Sequence, residues 1–181
     1  MLAKELGIRM ETTSFKGKKV YFSGSIAGEL GVPKDFSWRL VRYILVNGAD
    51  VLDPHVAAID RPHGRRLIKL NRGYTPSDLE NPWKQIEKDD IDGVDQATHV
   101  IAIVDGPSHG VGNEIQRALD NNQFRGFSIK VLCLIHEDNL ERLSWMIRGK
   151  ERSEIPHFTL RTYSDLESAK ETIKKFLTLN V

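Results

Sequence analysis

Two uninterrupted apolar runs constrain the fold of this chain more than any other feature. One is Val100-Ile101-Ala102-Ile103-Val104, and the other is Val131-Leu132-Cys133-Leu134-Ile135 within a strand predicted at 129–135. Strands that show no polar alternation are typical of parallel sheets, because helices cover both of their faces. The sequence therefore predicts a parallel sheet at the centre of an α/β domain.

The rest of the chain alternates strand and helix patterns as such a sheet requires. The further predicted elements are strands at 18–23, 51–52 and 158–160, and helices at 36–45, 83–95, from 114 onward, 140–148 and 166–176. We expect a single domain at 18–181, preceded by an N-terminal lead-in at 1–17. The expected fold class is α/β, a doubly wound (Rossmann- or flavodoxin-like) parallel five-stranded sheet with helices on both faces.

One segment, 59–84, interrupts this alternation. It is basic at its start and polar throughout, and Arg61-Pro62-His63-Gly64 and Tyr74-Thr75-Pro76-Ser77 are loop signals. We interpret the segment as an inserted surface loop. Long loops inside compact domains are often functional, so its position relative to the binding cleft is of interest.

Composition argues against several classes of partner. The 181 residues carry 26 Lys and Arg against 25 Asp and Glu, so the net charge of +1 offers no bulk attraction to a nucleic acid polymer or an anionic membrane. The lone Cys133 cannot form an intramolecular disulfide, and no signal peptide or membrane span is evident. The six histidines lack metal-ligand spacing. We expect a cytoplasmic or nuclear protein without a metal site.

Ligands of doubly wound sheets bind beyond the carboxyl ends of the strands, so the loops there are the candidate sites. Gly24-Ser25-Ile26-Ala27-Gly28 lets backbone approach a phosphate or sugar, although a plain turn has the same composition. Glu114 follows the third strand at a helix start, where an ionised carboxylate can act as nucleophile or base, or be an ordinary helix acid. Asp90 lies on the preceding helix, and paired carboxylates are the pattern of glycosidic cleavage.

The residues at these strand ends resemble a known family. The motifs are Tyr21-Phe22-Ser23-Gly24-Ser25-Ile26, Val51-Leu52-Asp53-Pro54-His55-Val56-Ala57-Ala58, the stretch 90–104, Pro107-Ser108-His109-Gly110-Val111-Gly112-Asn113-Glu114 and Leu143-Ser144-Trp145-Met146-Ile147-Arg148-Gly149. They are similar to the 2′-deoxynucleoside 5′-phosphate N-hydrolases of the nucleoside 2-deoxyribosyltransferase superfamily. The resemblance implies hydrolysis of a deoxynucleoside 5′-monophosphate to free base and 2-deoxyribose 5-phosphate.

The same resemblance implies a role for each matching residue. Glu114 would attack C1′ of the deoxyribose, Tyr21 would orient that carboxylate, and Asp90 would engage the sugar and assist departure of the base. The implied substrate-binding residues are Gly24, Ser25, Ile26, His55, Ser108, Gly110, Ser144 and Met146. No cofactor is implied. A homodimer is implied, with Ser144 reaching the phosphate of the neighbouring subunit.

Two departures from the family pattern keep alternatives open. Ala27 stands where the family usually has a phosphate-binding arginine, and 59–84 is an insertion beside the base side of the cleft. The missing charge leaves open transfer of the deoxyribosyl group between bases by a nucleoside 2-deoxyribosyltransferase, whereas Ser108 and Ser144 favour hydrolysis of a phosphorylated substrate. A non-catalytic nucleotide-binding module is a third possibility, against which the full set of Tyr21, Asp90 and Glu114 argues.

Overall fold

The chain folds around a five-stranded parallel sheet in the order β2-β1-β3-β4-β5. The computed structural model describes residues 2–25, 31–152 and 154–178. The strands are β1 (Lys19–Ser23), β2 (Asp50–Val51), β3 (His99–Ile103), β4 (Lys130–His136) and β5 (Phe158–Tyr163). This order reverses direction between β1 and β3, which is the switch point of a flavodoxin-like sheet. The predicted doubly wound fold is confirmed.

Seven α-helices surround the sheet in the described residues. They are α1 (Leu2–Glu5), α2 (Phe36–Val46), α3 (Arg61–Arg72), α4 (Pro82–Gln96), α5 (His109–Arg125), α6 (Trp145–Arg148) and α7 (Leu166–Thr178), with short 3₁₀ segments at Pro54–Ala57, Pro76–Asp78 and Glu137–Arg142. Among these residues, none of the helices combines the length and the apolar character needed to cross a bilayer.

Alternate residues of the central strands serve two separate cores. Phe22, Ile101 and Leu132 pack on one face with α2 and α7. Tyr21, Val100 and Cys133 pack on the other face with α4 and α5. Strand side chains alternate in direction, so a central strand must be apolar at every position to fill both cores. This explains why the two apolar runs predicted the sheet.

The N-terminal lead-in is packed against the domain. The side chain of Phe15 is fully buried in the α2 and α7 core, and Leu6 and Ile8 pack against the same core. The backbone amide of Phe15 donates to the carbonyl of Asn47. Residues 2–17 therefore continue the core on the α2 side of the sheet.

The prediction that 59–84 is a long loop is wrong, because α3 occupies almost half of it. The Asp60 side chain caps this helix by accepting from the His63 amide at 2.7 Å, and Pro62 lies in the first turn, where its missing N–H costs nothing. Gly73, with φ of +80°, ends the helix in the left-handed conformation. Leu67 and Ile68 are the buried residues of this helix. The Pro and Gly that suggested a loop are the start and stop of a helix.

Candidate active site

The candidate site lies at the carboxyl end of β1, on the face covered by α4 and α5. Tyr21 and Ser23 are two residues apart on β1 and therefore project to this same face. Glu114 comes from the second turn of α5 and Asp90 from the middle of α4. The switch point of the sheet thus brings together three elements that are far apart in sequence.

Glu114 is held by hydroxyl groups. Its Oε2 accepts a short hydrogen bond from the Ser23 hydroxyl. Burial raises the pKa of Glu114, while the hydrogen bond from Ser23 and the nearby Tyr21 hydroxyl oppose that rise. A Cβ placed on Gly110 would lie 3.9 Å from Oε1 of Glu114, so the first turn of α5 borders the carboxylate. The sequence motif included Ser23 but did not indicate that its hydroxyl donates a hydrogen bond to Glu114.

Tyr21 lies beneath this carboxylate as a neutral phenol. Burial, followed by the negative charges of Asp53, Glu114 and Asp90, raises the pKa of Tyr21 far above its usual value. Its buried hydroxyl makes no hydrogen bond of normal geometry within the described residues, yet it lies near enough to lower the pKa of Glu114. Gly93 of α4 allows the close approach, because a Cβ there would meet the Tyr21 ring at 2.9 Å. The phenol therefore keeps its proton and can donate a hydrogen bond to the Glu114 carboxylate.

Asp90 shares the site with Glu114. Burial and the charge of Asp53 raise the pKa of Asp90 to about 6, the charge of Glu114 adds to the rise, and Arg72 opposes it. Two carboxylates that influence each other in one pocket ionise with difficulty together. The pair can therefore offer one ionised and one protonated carboxyl at mildly acidic pH.

A third acidic group, Asp53, follows β2 and is almost completely buried. Nδ1 of His55 lies 2.5 Å from its Oδ1, and Nη2 of Arg72 lies 3.0 Å from the same oxygen. The same Nη2 donates to Oδ1 of Asp90 at 2.6 Å. Arg72 is the last residue of α3, so a side chain from the segment predicted as a loop enters the site. The sequence analysis assigned no role to Arg72 or Asp53.

The group of Asp53, His55 and Asp90 could also be considered for a metal ion, since one ligand atom from each lies within 4.8 Å of the others. The guanidinium of Arg72 already donates to two of the three side chains. A metal ion between the same carboxylates would have to displace this guanidinium. We therefore interpret Arg72 as the positive group that pairs with Asp53 and Asp90.

Unpartnered polar atoms are concentrated here. Within the described ranges, five buried side-chain polar atoms have no hydrogen-bond partner. Four of them belong to Tyr21, Asp53, His55 and Arg72, although the His55 atom is Nδ1, which contacts Asp53 at 2.5 Å without hydrogen-bond geometry. Buried polar groups are nearly always paired in folded proteins, and exceptions are frequent where a ligand or a reacting group completes the arrangement. The four atoms mark this cluster as a site.

The other predicted site residues occupy several positions around this centre. Gly24 is buried and Ser25 half-buried directly after β1, whereas Ile26 and Ala27 lie outside the described residues. Ser108 caps α5 by accepting from the Val111 amide at 3.4 Å. Asp105, also at a strand end, accepts from the His136 amide and from Asn139, and therefore fastens the end of β4.

Ser144 and Met146 lie at the start of α6. The Ser144 hydroxyl accepts from the Met146 amide at 3.3 Å. Ser144 is exposed, and so are the neighbouring Trp145 at 87% and Met146 at 76%. Large exposed apolar side chains in a row commonly mark a contact surface. The predicted contribution of Ser144 to a neighbouring subunit is compatible with this exposure and stays a prediction.

Comparisons with known proteins identify the family of the chain. The chain is 34% identical over 145 residues to a 5-hydroxymethyl-dUMP N-hydrolase of Tetraodon nigroviridis, covering 80% of this chain and 87% of the relative. A protein of Trichoplax adhaerens, provisionally named 2′-deoxynucleoside 5′-phosphate N-hydrolase 1, is 30% identical over 164 residues, covering 91% of this chain and 96% of the relative.

The fold has solved counterparts. The structure of the CMP N-glycosidase BcmB from Clostridium botulinum aligns with a TM-score of 0.54 at 15% identity, covering 88% of this chain and 99% of that protein. No model of a protein family matches the chain. On the strength of its sequence relatives, the chain belongs to the 2′-deoxynucleoside 5′-phosphate N-hydrolases of the nucleoside 2-deoxyribosyltransferase superfamily and is an N-glycosidase.

Proposed function

We propose that this enzyme hydrolyses 2′-deoxynucleoside 5′-monophosphates to free base and 2-deoxyribose 5-phosphate, with Glu114 attacking C1′. The observation that carries the proposal is the meeting of Glu114, Asp90 and Tyr21 at the switch point of the sheet. A sugar without a 2′-hydroxyl tolerates positive charge at C1′ better than a ribose, because an electron-withdrawing oxygen is missing. A carboxylate beneath the ring can stabilise that charge and bond to it.

In the first step, an oxygen of ionised Glu114 forms an ester bond to C1′ as the N-glycosidic bond breaks. The electron pair of that bond leaves with the base, and protonated Asp90 donates a proton to it. In the second step, water attacks C1′, its proton passes to Asp90, and the ester bond breaks to regenerate ionised Glu114. The raised pKa of Asp90 suits a proton donor, and the hydroxyls of Tyr21 and Ser23 orient the Glu114 carboxylate.

Recognition of the 5′-phosphate falls to hydroxyl and backbone donors in this proposal. Ser108 stands at the start of α5, where the helix dipole favours an anion. Ser144 of a second copy would complete the site across a homodimer interface formed by the exposed α6. Binding energy from the phosphate would then position C1′ over Glu114.

The direct test is a panel of nucleosides and nucleotides. Deoxynucleoside monophosphates, including 5-hydroxymethyl-dUMP, for which the Tetraodon relative is named, are compared with ribonucleotides and unphosphorylated deoxynucleosides. We expect free base and 2-deoxyribose 5-phosphate from at least one deoxynucleotide without any added acceptor, measured by chromatography. Products that form only after addition of a second base would instead identify deoxyribosyl transfer.

A separate prediction concerns Ser144. Ser144→Ala should lower kcat/KM for the phosphorylated substrate by about tenfold, because a hydrogen bond to a charged group is lost. Turnover of the bare deoxynucleoside should stay the same. Ser14→Ala removes an exposed hydroxyl whose partner is Thr12 and serves as the control. Equal losses on both substrates would remove Ser144 from the phosphate site.

A further inference from the structure

Within the described residues, Arg72 is the one positive side chain that hydrogen-bonds the carboxylates of Asp53 and Asp90, and it is buried. Its side chain is 7% exposed, and its partners Asp53 and Asp90 are 1% and 25% exposed. Burying a guanidinium and two carboxylates costs solvation energy that ion pairing seldom returns as stability. The burial of this ion-pair group is therefore weak evidence for a contribution to stability.

The contacts of Arg72 connect two carboxylates with different surroundings. Nη2 donates to Asp90 at 2.6 Å and to Asp53 at 3.0 Å, while Nη1 lies 3.7 Å from Oδ2 of Asp89. Asp53 in turn contacts His55. A planar guanidinium fixes the direction as well as the distance of its acceptors. Asp90 and Asp53 are consequently held together at the same guanidinium nitrogen.

We propose that Arg72 is a positioning residue that orients Asp90 in the cleft and determines how readily Asp90 carries a proton. The inference rests on the proposed function for its catalytic meaning, although its electrostatic part concerns the folded protein alone. In this interpretation α3, which ends at Gly73, places the Arg72 side chain next to Asp90.

The charged and titratable groups around Asp90 give the direction of the effect. They are Arg72 at the end of α3, Tyr74 after it, Asp53 and His55 after β2, Tyr21 on β1, Glu114 on α5 and Asp89 on α4 itself. Arg72 lowers the pKa of Asp90, whereas burial, Asp53 and Glu114 raise it. Loss of Arg72 should therefore raise the pKa of Asp90, and loss of the Asp53 charge should lower it.

The decisive experiment follows the ¹³C carboxyl shift of Asp90 through a pH titration, with the resonance assigned by its loss in Asp90→Asn. In Arg72→Met we expect the midpoint to move upward by about one pH unit, since an opposite charge at hydrogen-bond distance shifts a carboxyl by about one to three units. Arg72→Lys keeps the charge and should return the midpoint toward that of the wild type. Asp53→Asn should move it downward.

Arg117→Met is the matched control. Arg117 also forms a two-point contact with a carboxylate, donating to Asp95 at 2.8 and 2.7 Å, and Asp95 keeps Arg125 and Asn121 as partners. The Asp90 midpoint should not change in this variant. An unchanged midpoint in folded Arg72→Met would overturn the proposal. If that variant does not fold, an unchanged midpoint in folded Arg72→Gln does the same.

The pH–rate profile separates this inference from the proposed function. In an active enzyme the alkaline limb should follow the Asp90 midpoint upward in Arg72→Met, with the loss falling mainly on kcat and less on KM. A wild type that releases no base from any deoxynucleotide rejects the proposed function, while the NMR midpoint still tests Arg72. A limb that does not move in an otherwise active variant rejects the role of Arg72 alone.

Discussion

Glu114→Gln should lower kcat by about a thousandfold or more, because the amide keeps the shape of the side chain but cannot form the bond to C1′. The amide oxygen can still accept from the Ser23 hydroxyl, so the local hydrogen bond survives. Substrate affinity should change much less than turnover. Single-turnover release of base, with binding measured separately by calorimetry, distinguishes the two quantities.

Glu167→Gln is the matched control for this substitution. Its side chain is 75% exposed at the start of α7 and pairs with Lys170 on the surface. It should retain the wild-type rate. A Glu114→Gln protein that is folded, binds substrate and turns over within tenfold of the wild type would show that Glu114 is not the nucleophile.

The sequence was informative about the centre of the site for a topological reason. Strands that are apolar on both faces predict a parallel sheet, and a parallel sheet gathers the residues after its strands at one edge. Glu114 follows from this argument once β3 is recognised, whereas the role of Tyr21 came from the family resemblance. Asp90 required more, since a helix face gives no information about which cleft it borders, and its place came from the family resemblance.

Arg72 shows the limit of that reasoning. Its helix contains Pro62 and Gly64, and is followed by Gly73, so composition favoured a loop. Asp60 before Pro62, apolar Leu67 and Ile68, and the glycine stop were the signals that could have predicted a helix. Even with the helix in place, only the packing of α3 against the 3₁₀ segment after β2 determines that Arg72 points to Asp53 and Asp90.

Recognition of the 5′-phosphate is the least predictable part of the site. Ala27 stands where the family usually has an arginine that binds the phosphate. Arg72 does not replace that arginine, because its guanidinium donates to the carboxylates of Asp53 and Asp90. Neutral donors at Ser108 and Ser144 are consequently the stronger candidates. Because each neutral donor contributes less than an arginine, the proposed contribution of a second subunit through α6 would matter more than it would with an arginine in place.

Asp90→Asn should lower kcat by about 100- to 10,000-fold, the range that general acid–base catalysis contributes. The expected pH dependence follows from the state in which each carboxyl acts. Glu114 must be ionised, so activity is lost as pH falls through its raised pKa. Asp90 must be protonated for the first step, so activity is lost as pH rises through a pKa of about 6. The wild type should thus be most active on the mildly acidic side of neutrality.

In Asp90→Asn the alkaline limb should disappear while the acidic limb of Glu114 remains, because an amide has no proton to lose in this range. The effect should also be smaller for substrates whose base is a good leaving group, since these need less help from a proton donor. Asp92→Asn, two residues along α4, removes an exposed carboxylate paired with Lys88 and should leave both limbs in place. If the alkaline limb persists in Asp90→Asn, the proton donor is a group other than Asp90. The buried phenol of Tyr21 would then be excluded on its own grounds, since its raised pKa lies far above that limb.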